Sequence, residues 1–269
     1  MASVSDQPHN DRAGFLERGL PPLNYLGRWT QQPPVWREGR AATEYMRLLR
    51  DPVFRGKGVP RGHGRPVLLI PGFLAGDSSL SVMGDWLRRV DYYAELPGIT
   101  LNVRYSEVVM KTLTLRLVDL YAWMGTRVIL VGHSRGGILA KVLSHRHPEM
   151  VERVVTLGSP IGDPYDVHPI TMAGVRIAHA LNMVRYARTA SVEKRFLRDL
   201  AAEPKVPTTS IYSKTDGIVH WEACLRPDVD ALEVDGSHVG LGVNSEVYAI
   251  LARLLAERPS RRRRPGPDR

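Results

Sequence analysis

The sequence predicts an α/β fold: a mostly parallel central sheet with helices on both faces, plus a helical cap insertion. Three observations carry this. Short apolar runs alternate with stretches of helical spacing from Pro66 onward, the pattern of strands joined by crossover helices. The most apolar runs stand in the middle of the series, as strands covered on both faces require. The alternation stops at residue 161, resumes near 205, and leaves room there for an insertion.

Taken in order, residues 1–60 read as a leader that wraps the domain without forming a unit of its own. Pro21-Pro22 and Pro33-Pro34 break its first part, and Ala41 to Leu49 has helical spacing through Tyr45, Met46, Leu48 and Leu49. Arg55 to Arg65 is rich in Gly and basic residues and reads as a loop. The main domain spans 61–257. Val67 to Ile70 is a continuous apolar run closed by Pro71-Gly72, hence a buried strand. Ser79 to Val90 is helical through Leu80, Met83, Trp86 and Leu87. Ile99 to Tyr105 alternates like a strand, and Val108 to Met124 is a long helix. Arg127 to Val131 is a strand, Gly136 to His145 a helix, and Val151 to Leu157 a strand ending at Gly158-Ser159-Pro160. The cap, about 161–204, holds turn residues and an amphipathic stretch from Ile170 to Tyr186. Strands at Thr208 to Tyr212 and Leu232 to Val234 follow, then a helix from Ser245 to Ala256.

The composition bounds the function. Of 269 residues, 43% are hydrophobic and 24% charged, enough apolar material for a sizeable core, which excludes general disorder. The net charge is +9, and Arg261 to Arg269 contribute +4 of it. Arg261 to Arg264, flanked by Pro259, Pro265 and Pro267, read as part of a disordered tail, residues 258–269, with contact to phosphate or anionic lipid as the alternative. No base-reading motif accompanies it, so nucleic acid is not an expected partner. The single cysteine, Cys224, permits no intrachain disulfide. Met1 to Asn10 lacks the basic start and apolar run of a signal peptide, and no stretch is long and apolar enough to span a bilayer; the expectation is a cytoplasmic protein.

The chemistry concentrates at Gly132-His133-Ser134-Arg135-Gly136-Gly137. A serine hydroxyl becomes a nucleophile when it is exposed, held in position and given a base. Here a buried strand runs into the turn and a helix leaves it, the context the G-x-S-x-G pattern demands. Gly132 and Gly136 remove side chains that would clash where helix and strand cross. The plain alternative is a Gly-rich turn bearing a solvated serine.

Leu69-Ile70-Pro71-Gly72-Phe73, the serine turn, and Gly236-Ser237-His238-Val239-Gly240 together resemble the α/β-hydrolase family, in particular bacterial lipases and esterases, over about residues 66–257. The resemblance implies a sheet that begins at the family's third strand. It implies backbone amides of Phe73 and Arg135 as the oxyanion hole, although Pro71 stands where the family usually has His. It also implies a triad in the chain order Ser, acid, His. His238, in a Gly-rich loop after a late strand, is then the base, with His220 as its rival. His9, His63, His133, His145, His147, His168 and His179 are worse placed. Asp216, after the penultimate strand and 22 positions before His238, is the acid; Asp163 and Asp166 are substitutes, each with a turn or cap role as the plain reading. Asp230 and Asp235 read as surface turns, and Cys224 as a small buried side chain.

The implied activity is hydrolysis of carboxylic esters, with a small-molecule ester or lipid as substrate and no metal or organic cofactor. An acyltransferase with the same triad, or a binding protein on the same fold, is the alternative. The cap helices pair apolar positions with Arg176, Arg185, Arg188, Lys194 and Arg195, so peripheral contact with anionic membrane through the cap or Arg261 to Arg264 is a further expectation.

Overall fold

The computed structural model describes residues 35–185 and 190–257. Six strands form one sheet: β1 (Pro66–Ile70), β2 (Tyr93–Glu95), β3 (Val128–His133), β4 (Val151–Leu157), β5 (Thr208–Tyr212) and β6 (Asp230–Glu233). Their order is β2-β1-β3-β4-β5-β6, and every neighbouring pair is parallel. Among the described residues seven α-helices accompany them: α1 (Ala41–Arg50), α2 (Ser81–Arg89), α3 (Ser106–Met124), α4 (Arg135–Arg146), α5 (Pro169–Arg185), α6 (Ala190–Ala201) and α7 (Ser245–Ala256).

The continuous apolar runs follow from burial on both faces. Successive strand residues point to opposite sides, so Val67 and Leu69 join Trp86, Leu251 and Tyr248 on one face. Leu68 and Ile70 join Leu113, Leu139 and Leu143 on the other. Every residue of β1, β3 and β4 is buried. Leu48 on α1 sits in the first of these clusters, and Trp86 Nε1 donates to the Val53 carbonyl at 2.8 Å, which ties the segment before β1 to the body.

Two expected elements differ. The strand expected over Ile99 to Tyr105 is irregular backbone, and the edge strand lies earlier, at Tyr93–Glu95. Pro97 and Gly98 end β2. The segment pairs instead with the loop after β1, where Asp77 N donates to Ile99 O, Asn102 N to Ala75 O, and Leu74 N to Asn102 O; its apolar alternation does not track burial, since Leu101 is exposed and Asn102 buried. The last strand starts at Asp230, not Leu232, so Asp230 opens an exposed edge strand and is not a turn residue. Residues 1–34, the Arg tail, Arg188, and the side chains of Arg185 and His179 lie outside the described residues.

Candidate active site

β3 ends in a corner built by close packing. Ser134 has φ 54° and ψ −126°, a region side chains avoid at a cost of about 1–3 kcal/mol. Its amide donates to Leu157 O at 2.8 Å, and Gly137 N returns to Ser134 O at 3.0 Å. A Cβ on Gly132 would lie 2.4 Å from the Gly136 carbonyl, and one on Gly136 would lie 2.0 Å from Ile70 O. Backbone stands on both sides, so neither position admits a side chain. The strain at Ser134 is held by this contact, and it lifts the half-buried hydroxyl above the C-terminal edge of the sheet.

Asp216 follows β5 and His238 follows β6, and the parallel order of those strands brings their loops together. His238 Nδ1 lies 2.6 Å from Asp216 Oδ2, and both residues are buried. The other carboxylate oxygen accepts from the amides of Ile218 and Val219, each at 2.8 Å. That arrangement fixes the carboxylate and places the imidazole proton on Nδ1, which leaves Nε2 able to accept a proton. Burial pushes the His238 pKa down, but the Asp216 charge, its hydrogen bond and the Glu38 charge outweigh it; the net shift is upward from 6.5. Among the described residues no hydrogen bond joins Ser134 Oγ to His238, a contact that often tightens only around substrate.

Three supports of this arrangement carry no sequence signal of their own. Glu38 Oε1 accepts from Gly217 N and His238 N at 3.0 and 3.1 Å, and its Oε2 accepts from Val239 N at 2.8 Å. Buried Glu44 accepts from Ser237 N and Ser237 Oγ at 2.9 and 2.7 Å. His133 Nε2 lies 2.8 Å from His238 O, and the two rings are 4.8 Å apart. Burial, then the nearby His238 charge, pushes the His133 pKa down to about 4, so at neutral pH this ring is uncharged and donates to the carbonyl.

Phe73 and Arg135 flank Ser134. The Cβ position of Gly72 is 3.0 Å from Ser134 Cβ, so this glycine lets the segment after β1 pass over Ser134. Among the described residues nothing accepts a hydrogen bond from the Phe73 amide, and the Arg135 amide opens α4, where helix donors converge. The segment that carries Pro71 in place of His is oriented by Asn102, fully buried, whose Nδ2 donates to Pro71 O at 2.8 Å. The Arg135 guanidinium donates in turn to Asn102 Oδ1 at 2.9 Å and to Arg104 O at 2.6 Å.

A cavity of about 140 Å³, partly open to solvent, rises from Ser134 between body and cap; its wall includes Phe73, Ile138, Tyr165, Val175 and Phe196. α6 is fastened beside it. Buried Lys141 donates to Leu200 O and Ala202 O at 2.5 and 2.7 Å, and Arg146 bridges Glu107 and Asp199. Burial, with Arg226 nearby, pushes the Lys141 pKa down to about 8. α5 packs beside Phe73, where a Cβ on Gly174 would stand 3.4 Å from the ring, and its Thr171 and Val175 line the same cavity as Ser134.

The rival residues fall elsewhere. His220 Nδ1 lies 3.7 Å from Asp166 Oδ2, so the rival base and one substitute acid face each other and not the Asp216–His238 pair. Asp163 accepts from Tyr165 N in a local turn. Asp235 accepts from Thr215 Oγ1 and Arg40. Cys224 is buried, and burial followed by the Asp216 and Asp166 charges pushes its thiol pKa up, away from nucleophilic use.

A sequence model described as a PGAP1-like alpha/beta domain matches residues 96–218, a span that holds Ser134 and Asp216 and stops short of His238. No curated protein matches the chain. Among solved structures, the mature form of a Bacillus licheniformis lipase is 19% identical with a TM-score of 0.56, over 73% of this chain and 94% of that one. A monoacylglycerol lipase of Paleococcus ferrophilus is 15% identical at 0.51, over 72% and 96%. A soluble variant of monoglyceride lipase from Saccharomyces cerevisiae, bound to a substrate analog, is 14% identical at 0.52, over 75% and 89%. The chain has the α/β-hydrolase fold.

Proposed function

We propose that the protein is a serine hydrolase that cleaves carboxylic esters, with Ser134 as nucleophile, His238 as base and Asp216 as its orienting acid. The observation that carries this reading is a strained serine beneath an apolar cavity, with a buried Asp–His pair at 2.6 Å in the neighbouring loops. The likeness to lipases of the same fold supports it.

In this reading His238 Nε2 takes the Ser134 proton as Oγ attacks the ester carbonyl. The Asp216 carboxylate stabilises the imidazolium and stays ionised. The tetrahedral oxyanion lies against the Phe73 and Arg135 amides, each worth about 3 kcal/mol in such sites. His238 then protonates the departing alcohol. It next activates water, which attacks the acyl-serine and releases the acid. Fluorophosphonate labelling tests this: the wild type should be modified at Ser134, and persistent labelling of Ser134→Ala would sink the assignment.

The apolar cavity suits the acyl chain of a lipid or ester. Ile170 and Ile177 on α5 and Leu74 beneath it are exposed, and Arg176 is exposed on the same helix. That pairing favours a cap that rests on anionic lipid. Activity on a long-chain ester should then rise sharply once the substrate forms an emulsion, whereas a flat response would leave an esterase acting on dissolved substrate.

A further inference from the structure

The Asp216 and His238 loops leave the adjacent strands β5 and β6 and are bonded near their starts, where Gly236 N donates to Ser213 Oγ and Thr215 Oγ1 donates to Asp235 Oδ1. Beyond those bonds, at the acid and base themselves, the Asp216–His238 contact is the direct link. A third group joins them there. Glu38, in the 3-10 turn Val35–Arg40, lies 179 positions before Gly217 and 200 before His238. One of its oxygens accepts from the amide next to the acid and from the amide of the base itself, and the other accepts from Val239.

An ordinary capping carboxylate would serve the 3-10 turn that starts after His238 and nothing beyond it. Glu38 serves both loops, which capping alone does not explain. Glu44 provides the contrast within the same segment. It holds Ser237 and leaves the acid loop untouched, while Arg40 adds a contact to Asp235 at 2.9 Å.

We infer that Glu38 is a positioning residue for His238, clamping the acid and base loops to one another and making the segment ahead of α1 part of the catalytic unit. This rests on the hydrolase reading above. The groups that face the imidazole are Asp216 from the β5 loop, neutral His133 from the end of β3, and the Glu38 carboxylate from outside. The imidazolium formed during attack is therefore bonded by Asp216 and lies within the field of half-buried Glu38, which touches its backbone amide and not its ring. The Glu38 charge favours that cation, in line with the raised His238 pKa.

The test compares wild type, Glu38→Gln, Glu38→Asp and Ser134→Ala in the full chain, with a p-nitrophenyl ester as substrate. In Glu38→Gln the charge is lost, so the acid limb of kcat/KM should move to lower pH by about half a unit. In Glu38→Asp the charge stays but the shorter side chain cannot span both loops. There kcat should fall by about 10- to 100-fold with KM within about twofold, the cost of a misplaced base. NMR titration of the His238 ring reads the same shift in Glu38→Gln without turnover, and each variant's thermal midpoint separates loss of fold from loss of positioning. Wild-type limb, kcat and His238 titration in both variants would overturn the clamp. If instead Ser134→Ala still reacts with fluorophosphonate, the hydrolase reading fails. If that variant is silent while the Glu38 variants behave as wild type, the clamp alone fails.

Discussion

The Ser134 corner and the loop that carries His238, the proposed nucleophile and base, stand a few ångströms apart and are built in opposite ways. The corner is local. Gly132, Ser134 and Gly136 meet within five residues, and its shape follows from backbone pressed on backbone. The base loop is assembled from afar: Glu38, Glu44, His133 and Asp216 all converge on residues 237–239. The difference teaches that the same site contains one part set by sterics and one set by hydrogen bonds to distant carboxylates. The first should fail as a fold, the second as a function or through graded loss of stability.

Substitutions separate the two. The largest expected effect is Asp216→Asn, which takes the charge from the imidazolium and disturbs the ring's tautomer. kcat should fall on the order of 10³- to 10⁴-fold while the thermal midpoint moves little. At the corner, Gly136→Ala drives a Cβ to within 2.0 Å of Ile70 O. It should cost about 3 kcal/mol, a drop of roughly 10 °C in Tm by calorimetry; an unchanged Tm would mean that helix and strand are not pressed together as described. Glu44→Ala leaves the buried Ser237 amide and hydroxyl without their acceptor, and urea unfolding should register a loss of about 1–3 kcal/mol. Asn244, whose side chain accepts from Glu246 N and Val247 N at the start of α7, is the mildest case. Its replacement by Ala should cost about 1 kcal/mol.

The same contrast has a pH signature on the base-loop side. The His238 pKa is raised above its ordinary 6.5, so the stabilisation of its cation is fully present below 6.5 and is lost as pH rises through the folded-state value. The proposed reaction needs the neutral ring, so kcat/KM should fall with acidification through a midpoint above 6.5. A midpoint well below 6.5 would show that the imidazole does not feel its carboxylates.

What could be read from sequence divides along the same line. The turn at Gly132 to Gly136 was legible because Gly132 packs on Gly136 and Gly137 a few residues on, although Gly136 itself packs on Ile70 of the distant strand β1. The sheet was legible because burial on both faces makes strands apolar throughout. The misread segment, Ile99 to Tyr105, shows the limit of periodicity. The apolar residues alternate there, yet Leu101 is exposed and Asn102 buried, because the backbone pairs irregularly with the loop after β1. The pairing of Asp216 with His238 was suggested by family order, whereas its buried surroundings were not. Asn102 resembles any turn asparagine until Pro71 O is found opposite it. Glu38 and Glu44 look like solvated charges of an amphipathic segment, because the amides they hold lie nearly 200 residues away.

The central claim is that Ser134 is a nucleophile activated by this arrangement. Mass spectrometry of the protein after fluorophosphonate treatment tests it most directly. One phosphonyl adduct is expected, mapped to Ser134, absent in Ser134→Ala and much slower to form in Asp216→Asn. An adduct on another residue, or equal labelling of Ser134→Ala, would contradict it.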